Sequence, residues 1–423
     1  MTPATLAFAP RHARRYRLAV VTSHPIQYQA PWFRALDRET DLHVFFCHRQ
    51  DAAAQAAAGF GVEFEWDVPL LDGYQSTWLE NKARRPDVSR FNGCHTPEIG
   101  ERLRSGGFDA CIVSGWYLRS YLQAMAACRR AGIPVLVRGD SQLATGRSLA
   151  WTMLKYLPYR ALLGAIDAHL YVGRANREYL EHYGVPADRL FFAPHFVDNA
   201  FFSTRAQHAR ATGAAAAVRR QMGIDSGATV FAFAGKLIDK KRPADFVDAL
   251  ADVRGRGLDA WALVIGAGPL QAALEQRAAA RNLPVRFAGF RNQTELPAYF
   301  AAADALVLPS DGGETWGLVV NEAMACGLPA IISDACGCAR DLADTGTAGV
   351  VYPCGDVAAL ADAMAALHSD LAARRPEIGA AVAQTIAKYS LEAAVDGTLE
   401  ALGHVAGRGS RGRGATAPRA TAR

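Results

Sequence analysis

The chain is predicted to be an α/β protein built from two Rossmann-like, doubly wound domains, each a parallel sheet wrapped by helices, facing one another across a cleft. Three observations predict it. Short apolar, β-branched runs alternate with helical stretches, the pattern of βαβ units and parallel sheets. The alternation comes in two separate series. The chain has 423 residues, the length of two or three domains, and half of them are hydrophobic, enough for each domain to bury its own core.

The first series places strands at 18–22, 42–47, 109–114, 133–137 and 168–172. The second places them at 229–234, 261–265, 285–288, 305–308 and 329–332, with helical segments between. The predicted organisation is a basic arm at 1–17, a first domain at 18–198, a linker or insertion at 199–220, a second domain at 221–389, a terminal helix at 390–404 and a disordered basic tail at 405–423. Residues 193–220 read as the boundary, because 194–198 is turn-like and 206–218 is Ala-rich with scattered Arg. Residues 52–58 are a second low-complexity patch. The last periodic helix, 391–402, is expected to stop at Gly403, a good C-cap.

Lys plus Arg number 46 and Asp plus Glu 41, a net charge of +5. The excess is terminal. Residues 405–423 carry five Arg and no acid, and residues 1–18 carry four Arg and no acid. The body between is slightly acidic, so no nucleic-acid footprint is expected on a folded face. The basic ends read as solvated arms; their sharper reading is weak attraction to an anionic membrane. No apolar run reaches transmembrane length, and residues 1–10 lack the basic start of a signal peptide. The eight Cys contain no C-x-x-C pair. Cys336 and Cys338 are a weak metal signal, Cys111 and Cys128 read as small core residues, and a reducing cytoplasm fits all of this. No metal site is expected.

The chemistry concentrates in loops at the C-terminal ends of second-series strands. The run from Leu306 to Ser310 is a buried strand end. A glycine-rich loop, 311–317, follows and then a helix opening near Gly317. Uncapped N–H groups and a positive dipole end at the C-terminal edge of a parallel sheet form an anion site, and pyrophosphate is its common occupant. Glu314 lies in the loop and Glu322 in the helix; such carboxylates can accept from sugar hydroxyls or a ribose diol, or can be surface acids near a helix start. Gly235 to Pro243 follows the strand ending at Ala234, and its Lys236 and Lys241 can reach a phosphate or be an exposed basic turn before a helix opened by Pro243. Gly266-Ala-Gly268 is a strand-to-helix turn, and Phe287 to Leu296 a further loop at a strand end.

Together these four loops resemble the family-four retaining nucleotide-sugar glycosyltransferases. The family's E-x7-E pattern is met by Glu314 and Glu322, flanked by Ala303-Asp304, Leu308-Pro309-Ser310, Gly317-Leu318 and Glu322 through Gly327. The resemblance covers 229–400 well and 166–198 more weakly. It implies the glycosyltransferase B fold and transfer of a sugar from a nucleoside-diphosphate sugar, with retention of configuration, no obligatory metal and no cofactor. It implies that Glu322 holds the ribose and Glu314 the donor sugar. The N–H groups near Gly317 and Leu318, with Lys241, would bind the diphosphate. Lys236 stands where the family usually has Arg, keeping the charge but losing the fork. Phe290 and Arg291 would flank the base, and Gly235 and Trp316 complete the donor set. Glu314, Lys241 and Lys236 are the candidate catalytic residues, with the fixed positive potential stabilising the departing diphosphate.

The N-terminal half departs from the family. Its first loop, Thr22 to Gln29, has no glycine. Ser23 and Pro25 suit a helix entry there. His24 then reads equally as a helix-entry residue or, with Gln27, as an acceptor contact. Arg138 and Asp140, at the end of the strand 133–137, are further acceptor candidates. The acceptor is expected to be a glycan, a lipid-linked sugar or a small molecule, the setting cytoplasmic, at the inner face of the membrane if lipid-linked. The segment 147–163 mixes apolar and basic residues and reads either as an interfacial helix or as a core helix kinked at Pro158. The alternatives are a non-catalytic sugar-nucleotide-binding scaffold and a sugar-nucleotide epimerase or hydrolase of the same fold. A dinucleotide-dependent oxidoreductase is disfavoured, since G-x-G-x-x-G follows neither first strand.

Overall fold

The computed structural model describes residues 15–50, 61–144, 149–343 and 346–413. The patch 52–58, most of the N-terminal arm and residues 414–423 of the tail lie outside them. Two sheets, parallel throughout, carry the chain. In the first, strands β1 (Arg17–Thr22), β2 (Asp41–Phe46), β3 (Gln75–Trp78), β4 (Ala110–Val113), β5 (Val135–Gly139), β6 (Ala168–Tyr171) and β7 (Leu190–Phe192) are ordered 3-2-1-4-5-6-7. In the second, β8 (Thr229–Ala234), β9 (Ala260–Ile265), β10 (Val285–Gly289), β11 (Ala305–Leu308), β12 (Ala330–Ser333) and β13 (Gly349–Tyr352) are ordered 10-9-8-11-12-13. Both sheets reverse direction beside their first strand. The β1/β4 and β8/β11 gaps are therefore topological switch points, where open α/β sheets bind ligands.

All ten expected strands form. The three that carry no expectation, β3, β7 and β13, are short. β3 (QSTW) is only partly buried and has no apolar run, and β7 (LFF) is apolar but only three residues long, too short to stand out as a strand. The central strands show why the others were legible: β9 and β11 are buried at every position.

Residues 199–220 are not a linker. Helices Asn199–Ala211 and Ala214–Gln221 fill this stretch. Asp198 caps the first by accepting from the Phe201 N–H at 2.9 Å. Phe202, Ala206, Ala215 and Val218 are buried in the second domain's core. The alanines that look like low complexity are strong helix formers with a buried stripe. Arg219 fastens the second helix, donating to the carbonyls of Ala302 and Ala228 and to Asp304.

The terminal helix also differs. It runs Leu391–Arg413 and passes straight through Gly403. Ala394, Val395, Leu399, Ala401, Leu402 and Val405 are buried against Leu18, Trp32 and Phe191 of the first domain. Tertiary burial on both sides of Gly403 outweighs the roughly 1 kcal/mol helix cost of a glycine. The chain that ends the second domain thus returns to the first, and the tail begins no earlier than residue 414.

Candidate active site

A cavity of about 430 Å³ lies between the two sheets' C-terminal edges, at both switch points. The size suits a small organic ligand. Its second-domain wall includes Gly235, Lys236, Lys240, Lys241, Gly266, Phe290, Arg291, Gln293, Glu314, Trp316, Gly317, Leu318 and Glu322. Every second-domain residue expected to touch the donor is among them.

The loop after β11 delivers Glu314. Gly317 then turns the chain into helix Leu318–Ala325 at φ +107°, a left-handed value that a side chain would strain. No side chain caps this helix, so its first amides and dipole end face the cavity. Lys241 forms an ion pair with Glu314, both side chains largely buried. Burial and the neighbouring Lys240 and Lys241 push the Lys236 pKa down, while Glu314 pulls it up. Three lysines crowd one rim, and the positive charge gathered there favours an anion.

Glu322 lies deeper. Burial pushes its pKa up from 4.5 to about 7, against the opposing pull of Gln293 and Lys241. Gln293 Nε2 donates to Glu322 Oε1 at 3.3 Å. The helix position that buries the carboxylate follows from its neighbours, since Val320, Asn321, Ala323 and Met324 are buried with it. A carboxylate this short of partners is built to accept hydrogen bonds from a ligand.

The Gly266-Ala-Gly268 turn has another use. Gly266 sits at φ +136°, and a Cβ there would lie 1.9 Å from the Gly235 carbonyl oxygen. The glycine lets the turn after β9 press against the lysine-bearing loop after β8.

The first-domain wall is Gln27, Tyr28, Trp66, Asp140 and His195. Gln27 and Asp140 lie where acceptor contacts are expected; Arg138 and His24 do not. Arg138 is buried, its guanidinium 5.2 Å from the Trp32 ring centroid and 5.7 Å from that of Phe196, and its Nη2 donates to the Pro194 carbonyl. Arg138 lies inside β5 on the face it shares with Leu136, which packs with Trp32 and Phe196 in the core, while Asp140 follows Gly139, the last residue of the strand, and reaches the cleft. His24 turns back to Ser23, with Nδ1 3.0 Å from its hydroxyl, and burial with nearby His48 lowers its pKa to about 4. The helix after β1 begins only at Gln29, with Tyr28 at its N-cap and no side-chain cap, so Ser23, His24 and Pro25 lie in the loop before it and the expected helix entry is not there.

Sequence reasoning missed His195, which sits in the turn-like stretch after β7. Its ring is 5.8 Å from Tyr28 and 5.5 Å from Trp316, with Nε2 3.8 Å from Asp140. Burial lowers the imidazole pKa, against the pull of Asp140. Enclosure pushes the Asp140 carboxyl up, but pairing with His195 and a 2.6 Å hydrogen bond from Thr315 outweigh it and hold it at about 2. An ionised carboxylate therefore faces the cleft at neutral pH. Gln142 was missed too. Its amide nitrogen points at the carbonyls of Gly312, Glu314 and Ala335, tying the Glu314 loop to the first domain. Trp316 is more wall than contact: its indole N–H donates to Asn321, and Asn321 in turn donates to the His195 carbonyl. No local signal marks His195 or Gln142, because the groups they meet at the cleft come from distant parts of the chain, Asp140, Tyr28 and Trp316 for one and Gly312, Glu314 and Ala335 for the other.

Residues 215–381 match the model of the family "Glycosyl transferases group 1". The match lies within the second domain and covers less than half of the chain. Over 204 residues the chain is 32% identical to 2-deoxystreptamine N-acetyl-D-glucosaminyltransferase of Streptomyces fradiae, 47% of this chain and 48% of that protein. The chain spans about half the length of the curated relatives it matches. Among solved structures, α,α-trehalose 6-phosphate synthase of Burkholderia multivorans superposes with a TM-score of 0.72 at 15% identity, over 97% of this chain and 100% of that one. Anabaena HepE, solved with UDP and glucose, gives 0.63 at 15% identity, over 92% and 100%. Both sheets thus superpose together, and the whole chain has the glycosyltransferase B fold. Among the described residues no cluster of His, Cys, Asp and Glu could hold a metal ion. Cys336 and Cys338 are both buried, and Cys336 Sγ is taken up by the Ser310 carbonyl.

Proposed function

We propose that the protein transfers a sugar from a nucleoside-diphosphate sugar to an acceptor hydroxyl, with retention of anomeric configuration and without a metal or cofactor. The observation that carries it is the two-ended wall of the second domain: lysines and an uncapped helix at one end, an under-partnered buried Glu322 at the other. That polarity suits a diphosphate joined to a ribose. In this reading Glu322 accepts from the ribose diol, and Lys236, Lys241 and the Leu318 end of the helix hold the diphosphate. Glu314 exchanges part of its Lys241 pairing for donor-sugar hydroxyls. Phe290 and Arg291 flank the base. The lysines stabilise the charge that develops on the departing diphosphate, which is where fixed positive potential lowers the barrier. A leaving phosphate oxygen on the same face can take the acceptor proton. The acceptor enters from the first domain, beside Gln27, Tyr28, Asp140 and His195.

The match to an N-acetylglucosaminyltransferase and the HepE complex with UDP favour a nucleotide-sugar donor over a non-catalytic scaffold. Calorimetry with UDP and GDP tests the donor site. Incubation with the matching nucleotide sugar in EDTA, followed by NMR of the product anomer, tests the rest. An inverted anomer removes retention; loss of turnover in EDTA removes metal independence; an altered free sugar nucleotide, or its hydrolysis alone, makes the protein an epimerase or hydrolase.

Membrane contact belongs to the same proposal, and one observation favours it. On helix Leu149–Gly164, Met153, Leu154 and Leu157 are 70, 69 and 72% exposed, with Lys155 and Arg160 beside them. Pro158 lies within this helix, and the exposed apolar side chains fit an interfacial face better than a core one. Sedimentation with anionic vesicles should be salt-sensitive and weakened by Leu154→Glu. Truncation of the tail must start at residue 414, since Val405 is buried.

A further inference from the structure

The base end of the cavity is closed by the other domain. Between β2 and β3 the first domain sends out an irregular strap, described from residue 61 onward. Its far end is fastened at home: Arg34 donates to the Pro69 carbonyl and Tyr74 Oη to that of Leu70. Its middle is fastened to the second domain. Asn292 Nδ2 donates to the Glu65 carbonyl at 2.7 Å, and the Thr294 N–H donates to the Asp67 carboxylate at 3.1 Å, joined by the Thr294 hydroxyl. The Phe64 ring packs on Phe290, centroids 4.3 Å apart, and stands edge-on to Trp66 at 4.9 Å. Trp66 lines the cavity together with Phe290, Arg291, Gln293, Leu296 and Glu322.

We infer that Trp66 is a base-binding residue, an indole supplied by the first domain on which the heteroaromatic base of the donor packs. The inference rests on the proposed donor site and deepens it. At this end the ribose-side marker, Glu322, and the aromatic pair Phe64–Phe290 bracket a space that a planar ring fills. An indole offers the largest π-face of any side chain, and stacking on it is tolerant of which base is present. Trp66 therefore adds affinity for the nucleoside part of the donor and none for the diphosphate. Because the strap is pinned to Asn292 and Thr294, a seated base is gripped by both domains at once, and donor binding favours the closed cleft.

The test compares UDP, GDP and inorganic pyrophosphate by calorimetry on the full chain, for the native protein, Trp66→Ala, Trp66→Phe and Asp67→Ala. Trp66→Ala should weaken the preferred nucleoside diphosphate roughly 5- to 100-fold and leave pyrophosphate unchanged. Trp66→Phe should recover most of the loss, and Asp67→Ala should reproduce a smaller, equally base-selective loss. Unchanged nucleotide affinity in Trp66→Ala overturns the inference and leaves the donor site standing. Equal weakening of nucleotide and pyrophosphate also overturns it, since it shows a strap that only shapes the fold. A native protein that binds pyrophosphate but neither nucleotide overturns the donor reading, and the inference with it.

Discussion

The two walls of the cleft are built in opposite ways. The second-domain wall comes from loops that each run straight out of one strand: 235–241 after β8, 290–293 after β10 and 314–322 after β11. Each carries its functional residues within a few positions of the strand that aims them. The first-domain wall is assembled from pieces far apart in sequence: Gln27, Trp66, Asp140 and His195. Its polar groups are tuned by partners from the opposite domain, as Thr315 tunes Asp140. The second-domain wall is thus self-contained in the aim of its loops, which the first domain only steadies through Gln142 and the strap, and the first-domain wall is set only once the domains meet.

The largest effect should fall on the self-contained wall. Lys241→Ala removes cationic charge at the diphosphate and strips Glu314 of its counter-ion, and turnover should fall about 100-fold or more. Glu314→Gln should lower turnover by a similar factor with little change in nucleoside-diphosphate affinity, measured by steady-state transfer beside calorimetry. Equal losses in turnover and affinity would mean that Glu314 holds the nucleotide rather than the sugar.

Next comes Glu322→Ala, which should weaken nucleoside-diphosphate binding by about 1.5–3 kcal/mol, the worth of a charged hydrogen bond. The pH dependence has a definite sign. Burial raises this carboxyl to about 7, and the ionised form accepts from the diol. Affinity should therefore rise between pH 6 and 8, and calorimetry in two buffers should detect proton release. Glu322→Gln should abolish the part of this slope that the diphosphate's own ionisation does not supply. For the unliganded protein the sign reverses. The folded state holds this proton more tightly than the unfolded one, so the contribution of Glu322 to stability declines as pH rises from about 4.5 to about 7 and is level above.

Asp140→Asn probes the shared wall. Transfer should fall roughly tenfold at saturating donor, as for a group acting on a bound hydroxyl, while nucleotide affinity holds. Unaffected transfer would leave Asp140 as a contact between the domains and nothing more. The smallest kinetic effect belongs to Arg138→Met. Its neighbours are Trp32, Phe196 and the Pro194 carbonyl, so the change should lower the melting temperature by roughly 5 °C through a lost buried hydrogen bond and leave the acceptor KM within about twofold. A large rise in KM would return Arg138 to the acceptor site.

Read from the residues alone, ten of the strands, the two parallel sheets and the loops that carry the second-domain wall were legible, because period, glycine and charge act there over short spans of chain, while Lys240 and Gln293 in those loops carried no mark. The pairing of Glu314 with Glu322 in one loop and helix was legible too, though not their opposite surroundings. The acid partnered by Lys241 and the acid raised to about 7 by burial look alike in sequence. Short, half-buried β3 and β7 were not legible, nor was the alanine-rich helix pair Asn199–Gln221, whose packing face emerges only against the second sheet's core. Arg138 and His24 were read as cleft residues on the strength of their place after a strand. Arg138 falls inside β5 on the core face of Leu136 rather than in the loop beyond, and a neighbouring hydroxyl drew back His24.

What the amino-acid sequence determined by itself is what local interactions decide: which segments are strands, where a loop can bind an anion, and which family the second domain resembles. Only the tertiary structure decided the rest. It placed His195 beside Asp140, brought Gln142 to the Glu314 loop, and laid the Trp66 strap on Asn292 and Thr294. The first of these contacts joins two loops at the edge of one sheet, and the other two depend on the packing of two separately folded sheets. The terminal helix Leu391–Arg413, which begins after the second domain and buries its apolar face in the first, holds that packing together.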